Sequence, residues 1–561
     1  MNIIDVGVIA VFTLLVLVCG MSFSRSGKSM NSFYAAGGAL PWWMSGLSLF
    51  MSFFSSGTFV TWGAIAYSQG FVAITIQWTM AISGILIGLY IAPRWNRTKA
   101  LTASEYIRDR LGVGVQKTYT YILLLIGSFS TGAFLYPVAK IVEVSTGIPL
   151  HLSIFILGAV ILAYTAVGGL WAVIVTDILQ FVVLTAAVII VVPLALDRVG
   201  GLSGFMAQAP AELFEPVSGD YTWTFIVVFG LYNLFFIAGN WPYIQRYTSV
   251  ATPTDAKKVG LLFGALYFIS PVIWMLPPMI YRVLNPDLTG LADEGAYLLI
   301  CKEILPVGML GLMLGAMIFA TSSSVNTAIN LFSGVIANDV YKNMKPSASD
   351  RDLVRVGRIA TVALGLITIF VALLIPKMGG IVSFVFTIAA MTGGALFLPP
   401  VWALFSKYQT GSILLGISLI TLAVNLLFKF FVPSLWGVSL DREAETVLGI
   451  GLPIVLLTLS EIVARLRRAD TSQYDRYKVL EVAKVEAAKS ISQAQHDSEN
   501  KHGQLVIAVG VAAIGSIMLA LSLVAESSQL LVALMGVAML LVGVTVYVRQ
   551  SRQSETLLSR N

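Results

Sequence analysis

A chain of 561 residues that is 57% hydrophobic and only 11% charged, with a mean hydropathy of +0.85, falls outside the range of soluble globular domains and reads as an integral membrane protein solvated by a lipid bilayer. Its formal net charge of +6 does not signal nucleic acid, because Lys and Arg gather in short segments between apolar runs rather than along one face. Two cysteines, Cys19 in the first run and Cys301 in a polar loop, give neither a disulfide framework nor a Cys metal site, and the lack of GxxxxGK[ST], HExxH and GxSxG motifs argues against a pump or a hydrolase, so no enzyme activity is expected.

The first apolar run, IIDVGVIAVFTLLVLVCGMSF, has no basic flank and exceeds a secretory core in length, so it reads as a retained helix. Runs long enough to cross roughly 30 Å of hydrocarbon recur at 3–23, 43–67, 71–93, 117–145, 150–167, 171–197, 222–243, 259–283, 307–339, 356–376, 380–405, 409–432, 445–465, 504–525 and 529–548. That makes an all-α protein of about fifteen spans. The basic segments SRSGKS (24–29), PRWNRTK (93–99), IQRY with DAKK (244–258), YKNMKPSASDRDLVRVGR (341–358), ARLRRAD (464–470) and VRQSRQ (548–553) all fall on one side if the N-terminus lies outside. The expected setting is a bacterial inner (plasma) membrane. The stretch 471–503 reads as a partly helical cytoplasmic connector, too short for a catalytic domain.

Two spans carry interruptions. The second contains Ser45, Ser48, Ser52, Ser55, Ser56, Gly57 and Thr58, and the seventh contains Gly230, Asn233, Gly239, Asn240 and Pro242. Unwound backbone at membrane depth is tolerated where it lines a cavity or is buried in protein. The same residues also serve ordinary close packing of membrane helices. The two interrupted spans are five apart, each first in a group of five, and an odd number per group inverts one group relative to the other. The resulting division is an added helix at 1–30, a first five-helix repeat at 40–200, a second, inverted one at 220–408, peripheral helices at 409–470, the connector at 471–503 and a terminal pair at 504–561. Paired interruptions at matching positions mark a transporter site at the repeat interface.

Several stretches resemble the sodium/solute symporter family, the group that includes sodium/glucose cotransporters. FYAAGGALPWW (33–43), SLFMSFFSSGTFV, TASEYIRDRLG (102–112), YTAVGGLWAVIVTDILQ (164–180), IQRY and SSSVNTAINLFSGVIANDVYK (322–342) match in order and spacing over about residues 30 to 410. The resemblance implies the inverted-repeat (5+5 helix) fold first described for a bacterial leucine transporter, with extra helices, and sodium-coupled import of a small organic solute.

Ala320, Ser323, Ser324 and Thr327 share one helix face, and oxygen ligands suit a hard cation. The family pattern, carried over, makes a Na+ site from the carbonyls of Met51, Phe54 and Ala320 with the hydroxyls of Ser323 and Ser324. Without that pattern the serine run also reads as polar packing between helices. A second sodium site would use Asp177, Ser323, Asn326 and Thr327. Asp177 reads equally as half of a salt bridge. Lys140 and Glu143 form an i, i+3 pair taken as structural.

The family's solute positions fall on Thr58, Gln77, Trp78, Asn233, Phe236, Tyr267 and Met391. Gln77 and Asn233 suit a sugar or related polyol, whereas Thr58, Phe236, Tyr267 and Met391 depart from the sugar-transporter pattern. A sodium- or proton-coupled carboxylate or amino-acid symporter, a membrane sensor and a channel are the alternatives.

Overall fold

The computed structural model describes residues 2–22, 40–100, 102–164, 170–345, 347–489, 493–525 and 528–558. The backbone is helical because a membrane interior offers no other partner for N–H and C=O groups. Among the described residues the β contribution is limited to two isolated bridges, Leu40 with Val250 and Ser218 with Tyr221.

The principal helices are α1 (Ile3–Met21), α2 (Trp42–Met51) and α3 (Gly63–Gln69). Next come α4 (Val72–Arg97), α5 (Ala103–Leu111), α6 (Val113–Thr146), α7 (Leu150–Tyr164) and α8 (Leu170–Arg198). The middle of the chain forms α9 (Trp223–Gly239), α10 (Trp241–Thr248), α11 (Pro253–Leu284), α12 (Ala296–Ile304) and α13 (Met309–Val335). The remainder forms α14 (Asp350–Leu374), α15 (Gly380–Ala403), α16 (Gly411–Trp436), α17 (Arg442–Leu466), α18 (Ser472–Lys489), α19 (Gln493–Ser522) and α20 (Gln529–Leu558).

Ten of the described helices are long and apolar enough to cross a membrane, or eleven if α9 and α10, bent by 59° at their junction, are one span. This is fewer than the expected fifteen. Ile3–Val16, Leu150–Ala159 and Met309–Thr321 are further apolar stretches, within α1, α7 and α13, among the described residues. The second predicted span is divided between α2 and α3. The protein is a multi-pass integral membrane protein.

Helix α13 lies at the centre, packed by α1, α6, α8 and α14, while α2 packs on α8 and α11. Helices α4 and α11 approach closely through Gly84, Gly88, Gly260 and Gly264. A Cβ on Gly88 would sit 2.8 Å from the amide nitrogen of Leu261, and one on Gly260 would sit 2.5 Å from the Cα of Gly88. Small residues four apart let membrane helices meet backbone to backbone. The terminal pair α19 and α20 pack mainly on each other, with α19 resting on α8 and α1.

Cys301 lies in helix α12 and is fully buried, not in a polar loop, because the helix packs into the protein through Tyr297, Leu298 and Ile300. Lys140 and Glu143 form their ion pair at 2.9 Å.

Candidate ion and solute site

The second span unwinds after Met51. The amides of Phe53 and Phe54 turn back to the carbonyl of Phe50, Thr58 N–H turns to Ser55, and the Thr58 hydroxyl takes the carbonyl of Phe53. Thr58 also accepts from Ser55 N–H at 3.2 Å. The chain then re-enters helix through a π turn, Thr58–Trp62. Among the described hydrogen bonds of this break, none ends on the carbonyl of Met51 or Phe54. Both residues are buried, and the Phe54 ring stacks on Trp274 with centroids 3.7 Å apart.

The break is docked on α13. Ser56 N–H donates to Thr321 Oγ at 3.1 Å, the two hydroxyls lie 2.5 Å apart, and Thr321 itself donates to Met317 O at 3.0 Å. Ala320 is buried next to Thr321, and the Ser324 hydroxyl donates to the Ala320 carbonyl at 3.3 Å. The structure thus brings the unwound segment of the second span to the helix turn that carries Ala320 and Ser324. Ser323, Asn326 and Thr327 belong to α13, but their side chains lie outside the described residues. Thr321 is not among the residues that the sequence singles out, and Ser56 is legible only as part of the interruption, not as the partner of Thr321.

Asp177 meets partners from two other spans. Its carboxylate accepts from Ser48 Oγ at 2.6 Å and lies 4.0 Å from the guanidinium of Arg246. Arg246 Nε donates to Ser48 Oγ at 3.2 Å, and Ser45 Oγ donates to the Arg246 carbonyl at 2.8 Å. All four residues are buried. This knot joins the first half of one interrupted span to the second half of the other. The bridge between Leu40 and Val250, with Leu40 N–H donating to Ser249 O at 3.0 Å, ties the same two segments. Ser48 and Arg246 lie in stretches that the sequence reading quoted, yet nothing local pairs them.

The second interruption falls at Asn240, whose extended backbone (ψ 128°) separates α9 from α10, with Pro242 in the first turn of α10. Helix α4 holds this junction. Trp95 Nε1 donates to Ala238 O at 2.8 Å, and Asn96 Nδ2 donates to the carbonyls of Tyr247 and Val250 at 3.0 and 2.8 Å.

The solute-position residues separate into groups. Phe53, at the first break, is surrounded by Phe236, Tyr243, Phe263 and Tyr267, with ring centroids 4.6 to 6.4 Å away. Gln77 is completely buried, and neither its amide oxygen nor its nitrogen has a hydrogen-bond partner. Asn233, also buried, donates to Thr79 Oγ at 2.8 Å, so one end of its amide is engaged. Trp78 points elsewhere: its indole donates to Phe268 O at 3.0 Å and stacks on the largely exposed Phe268 ring. Met391 borders a small cavity with Asn425, Phe428, Lys429 and Glu445. Adjacent residues on a helix diverge by about 100°, so Gln77 and Trp78 serve different surfaces.

Comparison with known proteins agrees with this architecture. The sodium:solute symporter family description matches residues 33–412. Sodium/glucose cotransporter 4 of Danio rerio is 30% identical over 401 residues, covering 63% of this chain and 60% of that protein. Sodium/myo-inositol cotransporter 2 of Sus scrofa is 28% identical over 436 residues, covering 70% and 63%. The chain therefore spans about three fifths of the length of these curated relatives. Among solved structures, a substrate-bound, outward-open Na+-coupled sialic acid symporter aligns with a TM-score of 0.67 at 22% identity, covering 82% of this chain and 98% of its own. Mhp1, a nucleobase-cation-symport-1 family transporter, aligns with a TM-score of 0.51 at 15% identity, covering 84% and 98%. The fold is the leucine-transporter-like fold that those two share. With the family match extending over both interrupted spans and the serine-rich helix between them and residue 412, the chain is a member of the sodium:solute symporter family, a family of membrane transporters and not of enzymes.

Proposed function

We propose that this protein is a sodium-coupled secondary active symporter that imports a small neutral solute, a sugar or polyol, by alternating access. The observation that carries the reading is the docking of the first break on α13 through Ser56 and Thr321, beside Ala320 and Ser324. In this reading Na+ takes the carbonyls of Met51, Phe54 and Ala320 and the hydroxyls of Ser323 and Ser324, and the break supplies carbonyls that no helix consumes. A second ion would use Asp177 with Ser323, Asn326 and Thr327. The whole chain would comprise about fifteen spans in a 5+5 inverted repeat with added helices, its N-terminus outside, in a bacterial plasma membrane.

A neutral solute is favoured by two features. Gln77 offers a buried donor and acceptor with no protein partner, which a hydroxylated ligand would satisfy. Arg246, in the same helix as Tyr243 of the aromatic group around Phe53, is committed to Asp177 and Ser48 rather than free for a carboxylate. The named relatives carry glucose, myo-inositol and sialic acid in their descriptions, which agrees with a polyhydroxylated cargo. External sodium would fix the break against α13 and complete the solute site before the bundle rocks. One charge moving down about 100 mV supplies roughly 2.3 kcal/mol, and a tenfold gradient adds about 1.4 kcal/mol.

The test is a thermal-stability screen of the purified protein against sugars, polyols, amino acids and carboxylates with and without sodium, followed by uptake into proteoliposomes under separate sodium and proton gradients. A sugar or polyol that stabilises only with sodium, and is accumulated only down a sodium gradient, is the expected outcome. Uptake driven by protons alone, or sodium dependence unchanged in Ser324→Ala, would overturn the reading.

A further inference from the structure

Helix α18 is largely polar and lies between α17 and the terminal helices, outside every segment that the transport reading uses. It docks on α5. Lys484 pairs with Glu105 and with Asp109, the latter at 2.7 Å. Tyr477, the one buried side chain among the described residues of this helix, stands edge-on to Tyr106 with centroids 5.8 Å apart. The guanidinium of Arg110 lies over the Tyr474 ring at 5.1 Å. Burial opposes the charge on Lys484, but its hydrogen bonds to Asp109 and Glu105 hold the ammonium pKa above the ordinary lysine value.

The contacts continue inward. Arg110 is completely buried and donates to the carbonyls of Ser406 and Gln409, in the turn before α16. Gly411 N–H, at the start of α16, reaches Gln473 Oε1 at 3.4 Å. Tyr106 packs edge-on against Trp95 with centroids 4.7 Å apart, and Trp95 donates to Ala238 O, one residue before the break of the seventh span ends α9. Asn96, beside Trp95, holds the far end of α10 through the carbonyls of Tyr247 and Val250. Helix α10 carries Arg246 into the knot with Ser48 and Asp177. An unbroken series of side-chain contacts therefore runs from α18 to the segment that joins the two interrupted spans.

We propose that α18 is a strap that clamps α5 and, through Tyr106 and Trp95, holds α10 in its closed position on the connector's side of the membrane. The strap couples the connector to the gate: while α18 is docked, Trp95 and Asn96 are fixed, and so are the last turn of α9 and the far end of α10. Release of α18 frees Tyr106, then Trp95, and lowers the cost of moving α10 away from Ser48. The inference rests on α10 being a moving half of a broken span, as the proposed transport cycle requires, but it does not depend on which ion or solute is carried.

The experiment is hydrogen–deuterium exchange of the full chain in lipid nanodiscs, in sodium-free buffer, comparing the wild type with Lys484→Glu, Tyr477→Ala and the charge-reversed triple variant Glu105→Lys/Asp109→Lys/Lys484→Glu. The expected result is exchange faster by about fivefold or more at 103–111 and also at 241–250 in both Lys484→Glu and Tyr477→Ala, with protection at 241–250 restored in the triple variant. Faster exchange confined to 103–111 and 472–489 would make α18 a local anchor and overturn the proposal. A uniform rise that included 309–335 would show a general loss of stability and overturn it equally. Neither result would alter sodium-dependent solute binding, so failure here is distinct from failure of the symport reading.

Discussion

Thr321→Val tests the docking of the first break most directly. The threonine oxygen is the partner of Ser56 N–H at 3.1 Å and of the Ser56 hydroxyl at 2.5 Å, and both residues are buried. Valine keeps the side-chain shape but leaves a backbone N–H with no acceptor. Leaving a buried donor unsatisfied costs about 1–3 kcal/mol. If the cost falls on the sodium-loaded state, at about 1.4 kcal/mol per tenfold, the half-saturating sodium concentration rises about 5- to 150-fold. The assay is thermal stabilisation of the purified protein as NaCl replaces choline chloride, since a ligand that binds only the folded state raises stability with its concentration over Kd. Ser56→Ala and the double variant complete a cycle with an expected coupling of about 0.5–3 kcal/mol. The reasoning fails if Thr321→Val lowers stability equally with and without sodium while the half-saturating concentration stays within twofold. It fails too if the two substitutions are additive.

Three further outcomes are expected. Gln77→Leu removes a buried amide with no partner, so unfolding of the solute-free protein should become harder by about 1 kcal/mol while solute-dependent stabilisation disappears; a destabilised variant that still binds would contradict the assignment. Asp177→Ala leaves the Arg246 charge buried without its carboxylate and should cost about 3–5 kcal/mol in denaturant titrations; the Asp177→Ala/Arg246→Ala pair should cost less than the sum of its parts. Asp5 accepts from the amides of Gly308 and Gly311 at 2.8 and 3.1 Å, so the first helix caps α13; Asp5→Ala should lower stability by about 1–2 kcal/mol, and exchange should quicken first at the N-terminal end of α13.

Much of this architecture is local and therefore readable along the chain. The apolar runs, the glycines and serines that interrupt two of them, and the hydroxyl face of α13 are set by composition over windows of about 20 residues, because a bilayer imposes helix on every crossing segment. Asn240 and Pro242 announce the bend that the structure places between α9 and α10. The number of spans is less legible where polar residues interrupt a run, as Ser52, Ser55 and Ser56 do between α2 and α3.

What only the tertiary structure decided is who meets whom. Ser48 and Asp177 are 129 residues apart, and Ser56 and Thr321 are 265 apart. No periodicity within one helix specifies which neighbour its polar face will touch. Trp78 sits next to Gln77 in sequence yet turns to Phe268, and Met391 borders the cavity beside Lys429 and Glu445. Each helix fixes its own set of faces by its 3.6-residue period, but the rotation of each helix in the bundle is chosen by packing against several others at once. The sequence by itself determined a membrane transporter with two broken spans and an oxygen-rich helix. The bundle decided that the first break rests on Thr321, that Asp177 is held by Ser48 and Arg246, and that the connector reaches the second break through Tyr477, Tyr106 and Trp95.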